Sequence, residues 1–329
     1  DVIRVATVRS TDDGDSFQST GFLPLAPGEQ GVDPSTTFDS AGTARVAYMT
    51  IAPAGRVVYE TAFDAGAGTW LPRTQVSDAP AMLPAMLIDA PWLFAGGDTL
   101  YVVYTEKAAG GAAMGSVVLA RSVSGGTWER SRLAASPAPE VATGAVDALG
   151  VVHVVYTDDA RGVWYVQSSD GVAFGAPMSV GKAVSATRVG LAVAAGKVFI
   201  TYFDARPGIV LKRLPGGQTT YLTAGALDFN ALHPQVAVTS TGRVAVGFYA
   251  SDDTILGRWR TYLSDDDGKS FGAGLLVSDA DLRLTTSRAW PDWLGDYEGL
   301  VGGPGGALYT VWTDNRAGHS HIFFAKLRP

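Results

Sequence analysis

The chain contains no cysteine, which excludes disulfides, thiolate metal sites and a cysteine nucleophile. Positive charge is also scarce. Lys and Arg number 25 against 32 Asp and Glu, giving a net charge of −7 and a pI near 5.1. That balance excludes the basic field that a nucleic acid or an acidic membrane surface would require. No run approaches 18 apolar residues, so no segment is predicted to span a membrane. Helical periodicity of useful length is missing as well. What is present is an apolar fraction of 47% beside only 17% charged residues, enough to bury a large core in a folded chain. Glycine, at 40 of 329 residues, is abundant in the way expected of many short strands joined by tight turns.

One stretch organises the rest. Ser264-Asp265-Asp266-Asp267-Gly268-Lys269-Ser270-Phe271 lies between the strand-like runs 259–263 and 274–277. Ser10-Thr11-Asp12-Asp13-Gly14-Asp15-Ser16-Phe17 repeats its pattern, Ser-x-Asp-x-Gly-x-Ser-Phe, position for position. An Asp side chain accepts from nearby backbone N–H groups, and Gly takes positive φ freely, so both stretches read as tight turns. Weaker versions start at Phe63, Ser122 and Ser168, and a minimal Leu214-Pro215-Gly216-Gly217 turn fills the next slot. The starts are spaced by 53, 59, 46, 46 and 50 residues. That is the period of a four-stranded propeller blade.

The pattern resembles the Asp box, or BNR repeat, of sialidase-like β-propellers. In that family the box is a hairpin between the third and fourth strands of a blade, on the face away from the ligand. Each interval here carries a short strand, a Gly turn and a richer strand ending in an aromatic, as in 36–48, 145–156, 191–202, 235–249 and 300–312. The expected fold is all-β: a six-bladed β-propeller of four-stranded antiparallel blades, closed by strands from both ends and formed by residues 1–329 as one domain. Seven blades is the alternative, since the strand count leaves one spare. Bacterial Asp-box proteins are commonly exported, so the resemblance implies a secreted or periplasmic protein; the chain begins at Asp1, which reads as a trimmed or mature form. A monomer is expected.

Consecutive connections in an antiparallel blade alternate between its two ends. A ligand site is therefore expected on the face opposite the boxes, where second strands end and first strands begin. Three second strands end with aromatic-x-Asp-x-Arg spacing: Tyr156 with Asp158 and Arg161 in a looser form, Tyr202 with Asp204 and Arg206, and Trp312 with Asp314 and Arg316. A ring of guanidinium groups would bind a carboxylate or sulfate bidentately. The plain alternative is an Asp–Arg pair inside each blade, repeated because the blade repeats. The non-repeated stretch 278–298 carries Trp290, Asp292, Trp293, Tyr297 and Glu298, whose aromatic faces suit sugar rings and whose carboxylates suit hydroxyls. His233, before Pro234, belongs to the same face, although a lone His in that setting is more often a packing residue. No cofactor is expected from spacing; calcium is left open by Asp-rich loops such as 265–267.

Sialidases use three arginines on the substrate carboxylate, a Tyr–Glu nucleophile pair and an Asp acid/base. They commonly carry an Arg-Ile-Pro-type motif before the first box, and here Val2-Ile3-Arg4-Val5-Ala6 lacks it. Adjacent Tyr297 and Glu298 in a strand would point to opposite faces, poor geometry for a nucleophile and its base. Two functions follow: a propeller that binds a glycan or a protein surface, which the missing motifs favour, or a glycoside hydrolase. The hydrolase would draw its acid and nucleophile from Asp158, Asp204, Asp292, Glu298 and Asp314.

Overall fold

The computed structural model describes residues 2–78, 86–108, 115–136, 139–184, 188–204, 208–222, 232–251, 256–284, 294–295 and 297–328. The chain is an all-β, six-bladed β-propeller. Among the described residues the sole helical piece is a 3₁₀ turn at Pro304–Gly306, and no helix is long and apolar enough to cross a membrane. The chain divides into two compact units, one of residues 1–160 and 164–179, the other of 161–163 and 180–329.

The first unit opens with a two-stranded sheet, β1 (Ala6–Arg9) and β2 (Gln18–Phe22). The first blade follows, running β3 (Gln30–Phe38), β4 (Ala44–Ala52), β5 (Gly55–Asp64) and β6 (Thr69–Trp70), with β7 (Thr74–Gln75) also on β5. The second blade is β8 (Met86–Gly96), β9 (Thr99–Ala108), β10 (Gly115–Val123) and β11 (Glu129–Ser136). The third is β12 (Pro139–Val146), β13 (Val152–Asp158), β14 (Gly162–Ser168) and β15 (Met178–Lys182).

In the second unit the fourth blade is β16 (Gly190–Ala194), β17 (Lys197–Asp204), β18 (Gly208–Leu214) and β19 (Gln218–Leu222). The fifth is β20 (Leu232–Val238), β21 (Val244–Ala250), β22 (Leu256–Ser264) and β23 (Leu275–Leu276), with β24 (Leu282–Arg283) also on β22. The sixth contributes β25 (Gly299–Gly302), β26 (Leu308–Asp314) and β27 (His321–Leu327).

Within each unit the core lies between successive sheets. Val58, Leu93, Val102 and Val118 pack together in the first unit, as do Phe199, Ile209, Val246 and Phe248 in the second. Each such side chain contributes about 1.5–3 kcal/mol on burial. The second strand of every blade carries a buried aromatic: Tyr48, Tyr104, Tyr156, Tyr202, Tyr249 and Trp312.

The Ser/Asp/Gly stretches form turns between adjacent strands, third to fourth in the blades and β1 to β2 at 10–17, and their polar side chains close them. At 264–271 the Asp266 Oδ1 accepts from the N–H groups of Lys269 at 3.0 Å and Ser270 at 2.9 Å. Ser264 Oγ donates to the same carboxylate at 2.7 Å and accepts from Gly268 N–H at 2.8 Å. Asp267 and Gly268 take φ values of 62° and 74°, which the turn requires. Phe271 packs back against the apolar cluster of its unit. The turn at Ser10 repeats this set, with Gly14 N–H on Ser10 Oγ at 2.8 Å and Ser16 N–H on Asp12 Oδ1 at 2.9 Å. Asp170 does the same for Val172 and Ala173. Hydrogen bonds, from the Ser16 hydroxyl first, hold the Asp12 carboxyl at about 2, and the Ala173 N–H leads a similar set that holds Asp170 at about 2.

Candidate functional site

The first strands carry a recurring irregularity. In β3, β8 and β20 one extra residue interrupts the pairing, between Val32 and Ser35, Asp89 and Trp92, and Leu232 and Gln235. The same dipeptide type occupies each break: Asp33-Pro34, Ala90-Pro91 and His233-Pro234, with φ of 54°, 53° and 54° at the residue before proline. Proline has no N–H to give the ladder, so an interruption is where it fits. A bulge also re-aims a side chain. β12 carries a comparable shift between Pro139 and Ala142, with Glu140 at the corresponding place.

In the fifth blade the re-aimed residue is His233, and it meets the start of the sixth blade. His233 Nδ1 lies 2.9 Å from Glu298 Oε2. The Glu298 side chain is entirely withdrawn from solvent, and His233 is 11% exposed. The other carboxylate oxygen lies 3.1 Å from the hydroxyl of Tyr249, at the end of β21. That hydroxyl also lies 2.8 Å from the Thr313 carbonyl and accepts from Thr313 N–H at 3.0 Å. Its single proton serves either the carboxylate or the carbonyl. Burial first, and then the Glu298 charge, push the Tyr249 phenol well above its ordinary value, so it stays a neutral donor. The His233 and Tyr249 rings meet edge to face at 6.0 Å.

Tyr297 and Glu298 diverge. Glu298 turns to Tyr249 and His233, while the Tyr297 ring lies under the Arg188 guanidinium at 4.8 Å. Arg188 is buried and stands just before β16. Arg188, His233, Tyr297 and Glu298 thus occupy one kind of position, the entry to a first strand, and Tyr249 the matching end of a second strand.

The Asp–Arg sites differ from one another. Arg316 pairs with Asp314 in its own blade, Nη2 to Oδ2 at 2.5 Å and Nε to Oδ2 at 2.9 Å, and also with Asp279. Its guanidinium covers the Phe323 ring at 4.7 Å. Asp158 is buried and accepts from Trp164 Nε1 at 2.8 Å. Arg161 is exposed, at φ 65°, and lends its carbonyl to Ala183 N–H. Asp204 is half-buried at the end of β17. Arg206, Trp290, Asp292 and Trp293 lie outside the described residues. Among the described residues no three His, Asp or Glu side chains converge as metal ligands, and the Asp266 carboxylate of the 265–267 loop is committed to its turn. A cleft of about 230 Å³ lies at the opposite end of the strands in the first unit, lined by Asp39, Arg45, Asp98 and Ser124 among others. There Asp39 is taken up by its own turn and by Arg45.

Sequence reasoning named His233, Tyr297 and Glu298 but not Arg188, nor Tyr249 as a member of the site. The bulge was legible: Pro34, Pro91 and Pro234 each precede a second-strand aromatic by a similar interval.

No protein family matches the sequence, and neither does any curated protein. Solved structures do match. The chain is similar to the intramolecular trans-sialidase of Ruminococcus gnavus, with 10% identity, TM-score 0.54, and coverage of 91% of this chain and 96% of that one. It is similar to the α-L-arabinanase of Penicillium chrysogenum, with 13% identity, TM-score 0.52, and coverage of 80% and 86%. A polysaccharide lyase, an ulvan lyase, matches at 11% identity, TM-score 0.54, and coverage of 91% and 82%. At such identities the likeness shows the fold, that of a sialidase-like β-propeller.

Proposed function

We propose that the chain is an Asp-box propeller, exported and monomeric, that binds a carbohydrate at the strand-entry face of its second unit without cleaving it. Proteins of similar fold act on carbohydrates, among them the trans-sialidase, the arabinanase and the ulvan lyase. The observation that carries binding over hydrolysis is the commitment of three of the five candidate carboxylates. Glu298 is enclosed by Tyr249 and His233, Asp314 is neutralised by Arg316, and Asp158 is held by Trp164. A hydrolase needs two carboxyl groups facing one glycosidic bond. The aromatic stretch at 290–297 would supply stacking faces for sugar rings, with His233 and Arg316 as polar contacts.

The His233–Glu298 contact supports a second reading, catalysis. A carboxylate beside an imidazole is the pairing that general acid–base catalysis employs. A glycan array run beside a panel of fluorogenic glycosides, sialosides included, separates the two. Saturable glycan binding without turnover is the expected result. Turnover that survives purification and disappears in Asp292→Asn or Glu298→Gln overturns it.

A further inference from the structure

His319 and His321 flank Ser320 where the connection after β26 becomes β27. His319 lies in the bend that leads into the strand, and His321 is the first residue of β27. Both imidazoles are exposed, their ring centres are 4.5 Å apart, and their planes are inclined at 54°.

That separation has a chemical reading. An imidazole nitrogen binds a zinc-like ion at about 2.0–2.1 Å, which puts the ion about 3.2 Å from the ring centre. Two such rings on one ion, at about 90–109° to each other, have centres about 4.5–5.2 Å apart. The observed value falls at the right-angled end of that range, the angle of square-planar and octahedral complexes.

The geometry points to a two-histidine chelate for a divalent transition metal, Cu²⁺, Ni²⁺ or Zn²⁺, at the start of β27. Imidazole nitrogen suits these ions and not Ca²⁺ or Mg²⁺, which require oxygen ligands. Asp314 is opposite His321 in the strand pairing, but its carboxylate is taken by Arg316, so it supplies no third ligand. The site is therefore a surface chelate, with its remaining positions open to water. The other two histidines are occupied elsewhere: His153 is buried against Tyr165, and His233 stands on Glu298.

Calorimetric titration of the metal-stripped full chain with Cu²⁺ and then Ni²⁺ tests this, together with the electron paramagnetic resonance spectrum of the Cu²⁺ adduct. One ion per chain and coupling to two equatorial nitrogens are expected. His319→Ala and His321→Ala should each weaken binding about tenfold or more, with copper bound more tightly than nickel. Both side chains are exposed, so the melting curves of the variants should match that of the parent. Unchanged affinity in the double variant, binding that never saturates, or a single coupled nitrogen would each overturn the assignment. The spectrum of the unaltered protein decides independently of how the variants behave.

Discussion

His233 Nδ1 stands 2.9 Å from Oε2 of a Glu298 side chain that has no exposure to solvent. The imidazole reaches it from the fifth blade and the carboxylate from the entry to the sixth. Tyr249 donates to the other oxygen, Oε1, at 3.1 Å, so the hydroxyl supplies the hydrogen bond and the imidazole a close polar contact.

Glu298→Gln keeps the shape and removes the charge. Glycan affinity is expected to fall about tenfold, while stability changes by less than about 1 kcal/mol. Glu298→Ala leaves the Tyr249 and His233 groups facing a void and should cost about 1–3 kcal/mol in urea denaturation. Equal losses of stability in the two variants would show that charge, not satisfaction of the hydroxyl, sets the cost.

Tyr249→Phe removes the acceptor for Thr313 N–H, in a place water does not reach. A loss of about 1–3 kcal/mol is expected from the stranded backbone group alone. Chemical denaturation checks the size. Hydrogen exchange checks the mechanism, since the Thr313 amide should lose protection ahead of its neighbours.

The turn aspartates predict an acid limb in the stability curve. Asp12 and Asp170 titrate at about 2 in the folded chain against an ordinary value of 3.8. A carboxyl depressed on folding contributes stability that is complete above its unfolded value and drains away as pH falls through the folded one. Melting temperature should therefore hold down to about pH 4 and decline toward pH 2. Asp12→Ala and Asp170→Ala should lower the plateau and flatten the decline. An unaltered slope in the double variant would remove these turns as its source.

Gly268 combines φ 74° with a Cβ position only 2.6 Å from Leu211 Cδ2. Gly268→Ala should cost about 1–3 kcal/mol through strain and overpacking together. Gly217→Ala, at φ 64° with nothing within 4 Å of its Cβ, isolates the backbone part and should cost less. Reversal of that order in thermal denaturation would refute the packing contribution.

Much of the fold was legible because it is built from local rules repeated. The Ser-x-Asp-x-Gly turns, the Gly turns and the buried second-strand aromatics each depend on residues a few positions apart, and strands expected at 299–302 and 307–313 form at 299–302 and 308–314. The site was legible in part. His233, Tyr297 and Glu298 stood out by their type, and the proline-marked bulge that re-aims His233 was written three times over. Tyr249 and Arg188 were hidden among ordinary blade residues.

Local order along the chain determined the period, the turns and which side chains alternate inward, since those rest on backbone conformation and spacing. Tertiary packing alone decided the pairings. Glu298 lies 49 residues from Tyr249 and 65 from His233, and Asp158 chose a tryptophan six residues on while Asp314 took the arginine two residues on. Such choices depend on which groups the folded sheets bring within hydrogen-bond reach and shield from water, and no spacing rule encodes that.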